Sequence, residues 1–381
     1  MRKFDFIDRE LKRRRIEHQH RRLQGVTPLP GARVEVNGRA MVDFCSNDYL
    51  GLSKHPSLQA RAIQFSEKYG SGSTASRLIC GSLDCFEAVE RKLAESKGVE
   101  GALIFNSGFQ ANVSVIPALA DRKSTIFSDA LNHNSIIQGI TLARCTKKIF
   151  RHNDLDHLQS LLEKNAENGA SRSLIVTESV FSMDGDQTDI DRLTALAEAH
   201  DAILIVDEAH ATGVLGENGM GLTAGKNVDV TVGTFGKALG SFGAYIACSG
   251  KIKDYLVNCC SGFIYTTALP PAVLGTIDAA LDLVPQLTDA RKRLHENATF
   301  LRDRLSKLGY DTGPSTTQVI PVLLGDEAST LAMARKLEEA GIFATAIRPP
   351  TVPPGESRIR LALSAAHTRP QIEALLRVFG E

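Results

Sequence analysis

Short apolar runs alternate with stretches of helical spacing through the middle of the chain. The runs are ALIF (102–105), TIF (125–127), LIVT (174–177), ILIV (203–206), VTVGTF (230–235) and AYIA (244–247). Strands with helices between them predict an α/β layer fold built on a mostly parallel sheet. The pattern changes further on. QVIPVLL (318–324), a helix near 327–340, RIRLAL (358–363) and a last helix predict a smaller α+β domain. That last helix carries clear signals: Thr368 as N-cap, Pro370 in the first turn, and Ile372, Leu375, Leu376 and Phe379 on one face. The expected division is an N-terminal helix and arm over 1–45, a large α/β domain over 46–285 and a small α+β domain over 286–381. No internal repeat or low-complexity linker interrupts it.

Composition narrows the function. With 381 residues, 43% of them hydrophobic, the chain is too large for one small core. Lysine plus arginine equals aspartate plus glutamate at 44 each, which speaks against a nucleic-acid binder, because counterion release needs a concentrated basic surface. The basic stretch from Lys12 to Arg15, with Arg21 and Arg22, reads as a solvated helix face. Seven cysteines, odd in number and without a CxxC pair or a histidine cluster, predict reduced thiols and no metal site. Cys259 and Cys260 read as buried apolar residues. The opening MRKFDFIDRELKRRR has no apolar signal core, and no apolar run reaches membrane-spanning length. A cytoplasmic location with no membrane partner is the expectation.

The candidate chemistry gathers at the C-terminal ends of the central strands, where open parallel sheets bind ligands. After ALIF, Ser107 and Gly108 open a helix whose free N–H groups and dipole suit a phosphate. Asp207 follows ILIV among apolar neighbours. One strand later, Lys237 stands alone as a cation in TVGTFGKALGSFGAYIA. A carboxylate to keep a pyridine nitrogen protonated, an amine for a Schiff base and a helix start for a phosphate are together what pyridoxal phosphate requires.

These residues lie in motifs that run along essentially the whole chain: FCSNDYLGLS (44–53), FNSGFQAN (105–112), DALNHNSI (129–136), TESVFSMDGD (177–186), VDEAHATGVLG (206–216), GTFGKALGSFG (233–243) and RPPTVPPGESRIRLALSAAH (348–367). In these the chain resembles the α-oxoamine synthases, a family of fold-type I pyridoxal phosphate enzymes. The resemblance implies Lys237, His133, Asp207 and His210 as the catalytic set. Lys237 would hold the cofactor covalently and move the substrate proton, Asp207 would pair with the pyridine nitrogen, and His133 would stack on the ring and face substrate. Ser182 and His210 would bind the phenolic oxygen or position substrate. The phosphate would lie against Ser107, Gly108, Phe109 and Thr234. Thr266 and Thr267 would reach it from the partner subunit, which implies a homodimer. Arg21, Asn47, Arg348 and Thr351 would face substrate, an arginine suiting a carboxylate through two parallel charge-assisted bonds.

The RPPTVP stretch looks most like the family members that join L-alanine to a pimeloyl thioester, on coenzyme A or acyl carrier protein, in biotin biosynthesis. The segment over 70–95 is common to several branches, including glycine C-acetyltransferase. An aminotransferase of the same fold would share Lys237 and Asp207 but need no thioester motifs. Non-catalytic relatives lack the lysine.

Overall fold

The computed structural model describes residues 3–167 and 172–380. Its centre is a seven-stranded sheet: β1 Gly101–Phe105, β2 Thr125–Asp129, β3 Thr146–Phe150, β4 Ser173–Glu178, β5 Ala202–Asp207, β6 Val230–Thr234 and β7 Ala244–Cys248, in the spatial order β1-β7-β6-β5-β4-β2-β3. Strand β7 runs antiparallel to its neighbours β1 and β6, and the remaining pairs are parallel. The α/β expectation holds, and the six apolar runs are six of these strands. The seventh, β3, reads TKKIF and is mostly exposed. It lies at the sheet edge, where lysines discourage pairing with another chain and so hide the apolar signal.

Successive side chains of a strand point to opposite faces, which splits the core in two. Leu174, Val176 and Ile205 pack on one face with Val115, Ile116 and Ile136. Ile175, Leu204 and Val206 pack on the other with Leu158, Leu162 and Leu193. Both faces of the central strands are therefore covered, and the carboxylates Asp129, Glu178 and Asp207 stand at strand ends.

The loop leaving β5 is anchored from below. Lys97 and Glu208 form an ion pair of 2.8 Å with side chains 1% and 0% exposed. Lys97 Nζ also donates to the Met220 carbonyl at 2.6 Å. Glu208 accepts from Leu222 N, Thr223 N and Thr223 Oγ1 at 2.6, 3.0 and 2.8 Å. Burial alone would depress the Lys97 ammonium, but Glu208 and Tyr245 override it and raise it above its ordinary value.

The chain divides into two compact units. Asp48–Ser182 with Asp186–Lys292 forms the unit just described, and the residues up to Asn47, Met183–Gly185 and the residues from Arg293 onward form the other. The N-terminal segment, set apart as an arm in the sequence reading, groups with the C-terminal part for a reason of pairing. Strands Val26–Leu29, Arg33–Val36 and Arg39–Asp43 form an antiparallel meander whose last strand is extended by Ile342–Phe343, running parallel to it. A three-stranded sheet of Val319–Gly325, Ser357–Ala362 and Thr345–Ile347 completes this unit, with helices Glu327–Glu339 and Arg369–Phe379. The latter begins with a capping box between Thr368 and Gln371 and buries Ile372, Leu375, Leu376 and Phe379, as its spacing predicts.

All seven cysteines are free. Cys260 is buried, but Cys259 is exposed, so the expectation fails for the first of the pair: it ends the helix Gly250–Cys259 on the solvent side. No described helix is long and apolar enough to cross a membrane.

Candidate active site

Strands β1, β2, β4, β5 and β6 run in one direction, so their C-terminal ends share one edge of the sheet, and the candidate residues follow them. After β1, Ser107 caps the helix Gly108–Leu119 by accepting from Gln110 N at 3.1 Å. The first N–H groups of a helix have no internal partner. A Cβ at Gly108 would meet nothing within 4 Å, so the first turn of this helix has open space at Gly108. Thr234, at the end of β6, donates to the Gly243 carbonyl at 2.9 Å and accepts from Gly236 N at 3.2 Å. Thr266 Oγ1 and the Thr267 carbonyl are held at 3.2 and 3.0 Å by Asn106 of this same chain, the residue before Ser107.

Asp207 ends β5 and is buried. Its Oδ2 accepts from Asn112 Nδ2 at 2.7 Å and its Oδ1 from Ala209 N at 2.8 Å, and it forms no ion pair with any described residue. A buried carboxylate without a cation is costly, and its chemistry fits a protonated nitrogen brought by a ligand. The same loop carries His210, whose Nε2 lies 2.8 Å from Lys237 Nζ and whose Nδ1 lies 2.6 Å from the Tyr49 hydroxyl. In a neutral imidazole one nitrogen donates and the other accepts. The Tyr49–His210–Lys237 chain can therefore hold the lysine as ammonium in one tautomer and as free amine in the other.

His133 caps the helix Asn134–Ala143, its Nδ1 accepting from Ser135 N at 3.2 Å with Ser135 Oγ at 2.7 Å. Its ring keeps a solvent-accessible face. Partial burial lowers its pKa, Asp207 opposes that, and Lys237 adds to it. A neutral, accessible ring is suited to stacking on a planar cofactor. The open space at Gly108, the uncompensated Asp207, the lysine and the accessible ring thus fit pyridoxal phosphate.

The other unit carries the remaining candidates. Arg21 Nη2 donates to Thr351 Oγ1 at 2.9 Å, and Arg348 donates to the His18 carbonyl. With Arg22 they line a cavity of about 370 Å³ that has no carboxylate in its lining. Burial and the nearby Arg21 lower the Arg348 pKa. Asn47 accepts from Arg360 at 3.2 Å.

The aminotransferase class I and II family model matches residues 39–379. The chain belongs to that family. Within the class I and II aminotransferases it is 57% identical over 380 residues, covering 100% of this chain and 99% of the relative, to a putative 8-amino-7-oxononanoate synthase of Desulfosudis oleivorans. Among solved structures it resembles a serine palmitoyltransferase from S. paucimobilis holding a pyridoxal phosphate–myriocin aldimine (28% identity, TM-score 0.91, 99% of this chain and 96% of that one). It also resembles the 8-amino-7-oxononanoate synthase of Francisella tularensis (30% identity, TM-score 0.78, 89% and 96%). The motif resemblance and the fold-type I architecture are both borne out.

Three polar groups of this family member escape a motif reading. Glu178 ends β4, is 3% exposed, and accepts from His133 N at 2.6 Å. Burial and then the negative Asp207 push its carboxyl well above the usual carboxylate range. Arg360 is 7% exposed although it lies in RIRLAL, where alternation announces a strand but not that its two arginines, Arg358 and Arg360, are buried. His152, after β3, bridges Asp129 Oδ1 and Asp186 Oδ2 at 2.9 Å each.

Burial depresses the His152 imidazole, but the two carboxylate hydrogen bonds outweigh it and raise its pKa to about 10. An unfolded histidine titrates near ~6.5. The raised folded value means a contribution to stability that is complete below ~6.5 and is lost as pH rises through about 10. Urea unfolding is expected to show wild-type stability falling over this window, with a shallower fall in His152→Ala. Equal slopes would contradict the assignment.

Proposed function

We propose that the protein is a pyridoxal phosphate-dependent acyltransferase that condenses L-alanine with a pimeloyl thioester to give 8-amino-7-oxononanoate, carbon dioxide and a free thiol, the reaction for which its relatives are named, in biotin biosynthesis. The observation that carries this reading is Lys237 on a buried histidine beside the unpaired, buried Asp207. The acyl carrier is coenzyme A or an acyl carrier protein, and the active form is a homodimer in which Thr266 and Thr267 serve the phosphate of the partner's site. Exposed Leu78, Ile79 and Tyr265 provide apolar surface for that contact.

Pyridoxal phosphate, when bound, supplies an electron sink for negative charge at the amino acid's α-carbon. Lys237 would hold it covalently, Asp207 would keep its ring nitrogen protonated, and His133 would cover its face. Ser107, Gly108, Phe109 and Thr234 would take the phosphate, and Ser182 and His210 the phenolic oxygen. Lys237, switched between amine and ammonium through His210 and Tyr49, would take the α-proton of alanine and later return a proton to the same carbon. In between, a carbon–carbon bond forms from that carbon to the thioester carbonyl and the carbon–sulfur bond breaks, releasing the thiol. The alanine carboxylate then leaves as carbon dioxide.

Substrate carboxylates need arginines in low dielectric. Arg360, with Asn47, would suit the amino acid's carboxylate, since it is buried and already hydrogen-bonded to a side chain. Arg348, Arg21 and Thr351 would hold the acyl substrate, whose distal carboxylate suits a cavity lined by arginines.

The test is product mass from purified protein with pyridoxal phosphate, offered L-alanine, glycine or L-serine against pimeloyl-, acetyl-, succinyl- and palmitoyl-CoA. Alanine with the pimeloyl thioester is expected to give the amino-oxononanoate and carbon dioxide. Preferred turnover of glycine with a short thioester would keep the cofactor and lysine but overturn the substrate assignment.

A further inference from the structure

Two loops carry residues placed here against the cofactor. One runs from Asp129 to His133, and the other leaves β4 and contains Ser182. The sheet holds each near its root, with His133 N on Glu178, Asn132 Nδ2 on the Val176 carbonyl and Ser179 N on the Asp207 carbonyl. Farther along, a pair of consecutive residues after β3, placed against neither cofactor nor substrate, ties the two loops to each other.

Asp129 is 2% exposed and shapes the first loop, its Oδ1 accepting from Leu131 N at 2.8 Å. The second loop closes as a hairpin, with Phe181 N donating to the Asp186 carbonyl at 3.1 Å and Thr188 N to the Ser179 carbonyl at 3.1 Å. Asp186 is 6% exposed. Two buried carboxylates brought near one another repel unless a cation stands between them. His152 stands there, one ring nitrogen on each, with its ring edge-on to Phe181 at 4.4 Å. Asn153 repeats the connection: its N–H donates to Asp129 Oδ2 at 2.8 Å and its Nδ2 to Asp186 Oδ2 at 2.5 Å. Thr188 Oγ1 donates to Asn153 Oδ1 at 2.7 Å. The residue adopts φ 51° to do so, a left-handed conformation that asparagine tolerates. The neighbouring charges Arg151 and Asp154 pair with each other instead.

We propose that His152 and Asn153 are positioning residues that staple the loop carrying His133 to the loop carrying Ser182, and so set the shape of the cofactor site. The pair acts at the ends of both loops at once, so losing it loosens two cofactor contacts together while the packed layers beneath stay in place. The proposal rests on the reading that His133 and Ser182 contact pyridoxal phosphate.

The experiment measures pyridoxal phosphate affinity of the apoprotein by equilibrium dialysis, then kcat and KM at saturating cofactor, in four proteins. These are wild type, His152→Ala, Asn153→Gly and Leu158→Ala. Asn153→Gly keeps the backbone conformation and removes only side-chain bonds, so it serves if His152→Ala does not fold. Leu158→Ala opens the apolar layer nearby and touches neither loop's polar ties. For His152→Ala the expected result is a cofactor Kd raised about tenfold and kcat lowered about tenfold, with KM for the amino acid within about twofold. Asn153→Gly is expected to raise Kd about threefold. Leu158→Ala is expected to lower the denaturation midpoint with Kd within about twofold of wild type. Wild-type Kd and kcat in both loop variants, or an equal rise of Kd in Leu158→Ala, would overturn the proposal. A wild-type protein that takes no pyridoxal phosphate would overturn the reading of the site itself, and the proposal with it.

Discussion

Lys237→Ala is expected to lower turnover at least about 10³-fold, since the variant loses both its covalent hold on the cofactor and the group that moves the α-proton. The neighbours explain why no other residue substitutes. His210 lies 2.8 Å from Lys237 through Nε2, and its Nδ1 lies 2.6 Å from the Tyr49 hydroxyl, so it serves the proton step through the lysine. With alanine at 237 that relay ends at an imidazole one side chain short. Borohydride reduction followed by peptide mass analysis should find the cofactor's mass on the peptide containing Lys237 in wild type and on no peptide in the variant. Far-ultraviolet circular dichroism should be unchanged, because Lys237 is half-buried on a loop and no core cluster includes it. Turnover at the wild-type rate would remove the lysine from the mechanism.

The largest expected effect on stability lies beneath the loop that carries His210. Lys97→Met should destabilise the folded state by about 3–5 kcal/mol, the range for removing one partner of a buried ion pair. The cost arises at Glu208, which would remain 0% exposed with its charge unanswered. Three donors from Leu222 and Thr223 would still serve it and keep the loss from going higher. Adding Glu208→Gln should recover part of the loss, because a neutral amide no longer needs the cation. Urea denaturation of the two single variants and the double variant measures this as a cycle. Additive losses would show that the two residues do not act as a pair.

The central strands were legible because each is covered on both faces and therefore reads as an uninterrupted apolar run. The edge strand β3 was not, since TKKIF faces solvent with its lysines. Lys237, Asp207 and the helix start at Ser107 were legible because their chemistry is local, each defined by the strand end it follows. Arg360 was not. Its side chain is bonded to Asn47, 313 residues earlier, and no local pattern distinguishes an inward arginine on a strand from an outward one. Glu178 is similar, since its raised pKa comes from burial and from Asp207 on the neighbouring strand. His152 joins strand ends that only the sheet order β4-β2-β3 brings together. Sequence shows which groups sit at strand ends, and the sheet order decides which of them meet.

The parallel pairing of Val42 with Ile342 also bears on how the chain is made. During synthesis, the meander of Val26–Leu29, Arg33–Val36 and Arg39–Asp43 emerges early, but its fourth strand follows 342 − 42 = 300 residues later. At ribosomal rates that interval is roughly 15 to 60 s. Throughout it the unpaired edge of Arg39–Asp43 is open to other nascent chains. The exposed arginines at 33 and 39, at the start of each strand of that hairpin, suit a segment that must wait in solution without aggregating until Ile342–Phe343 arrives to close it.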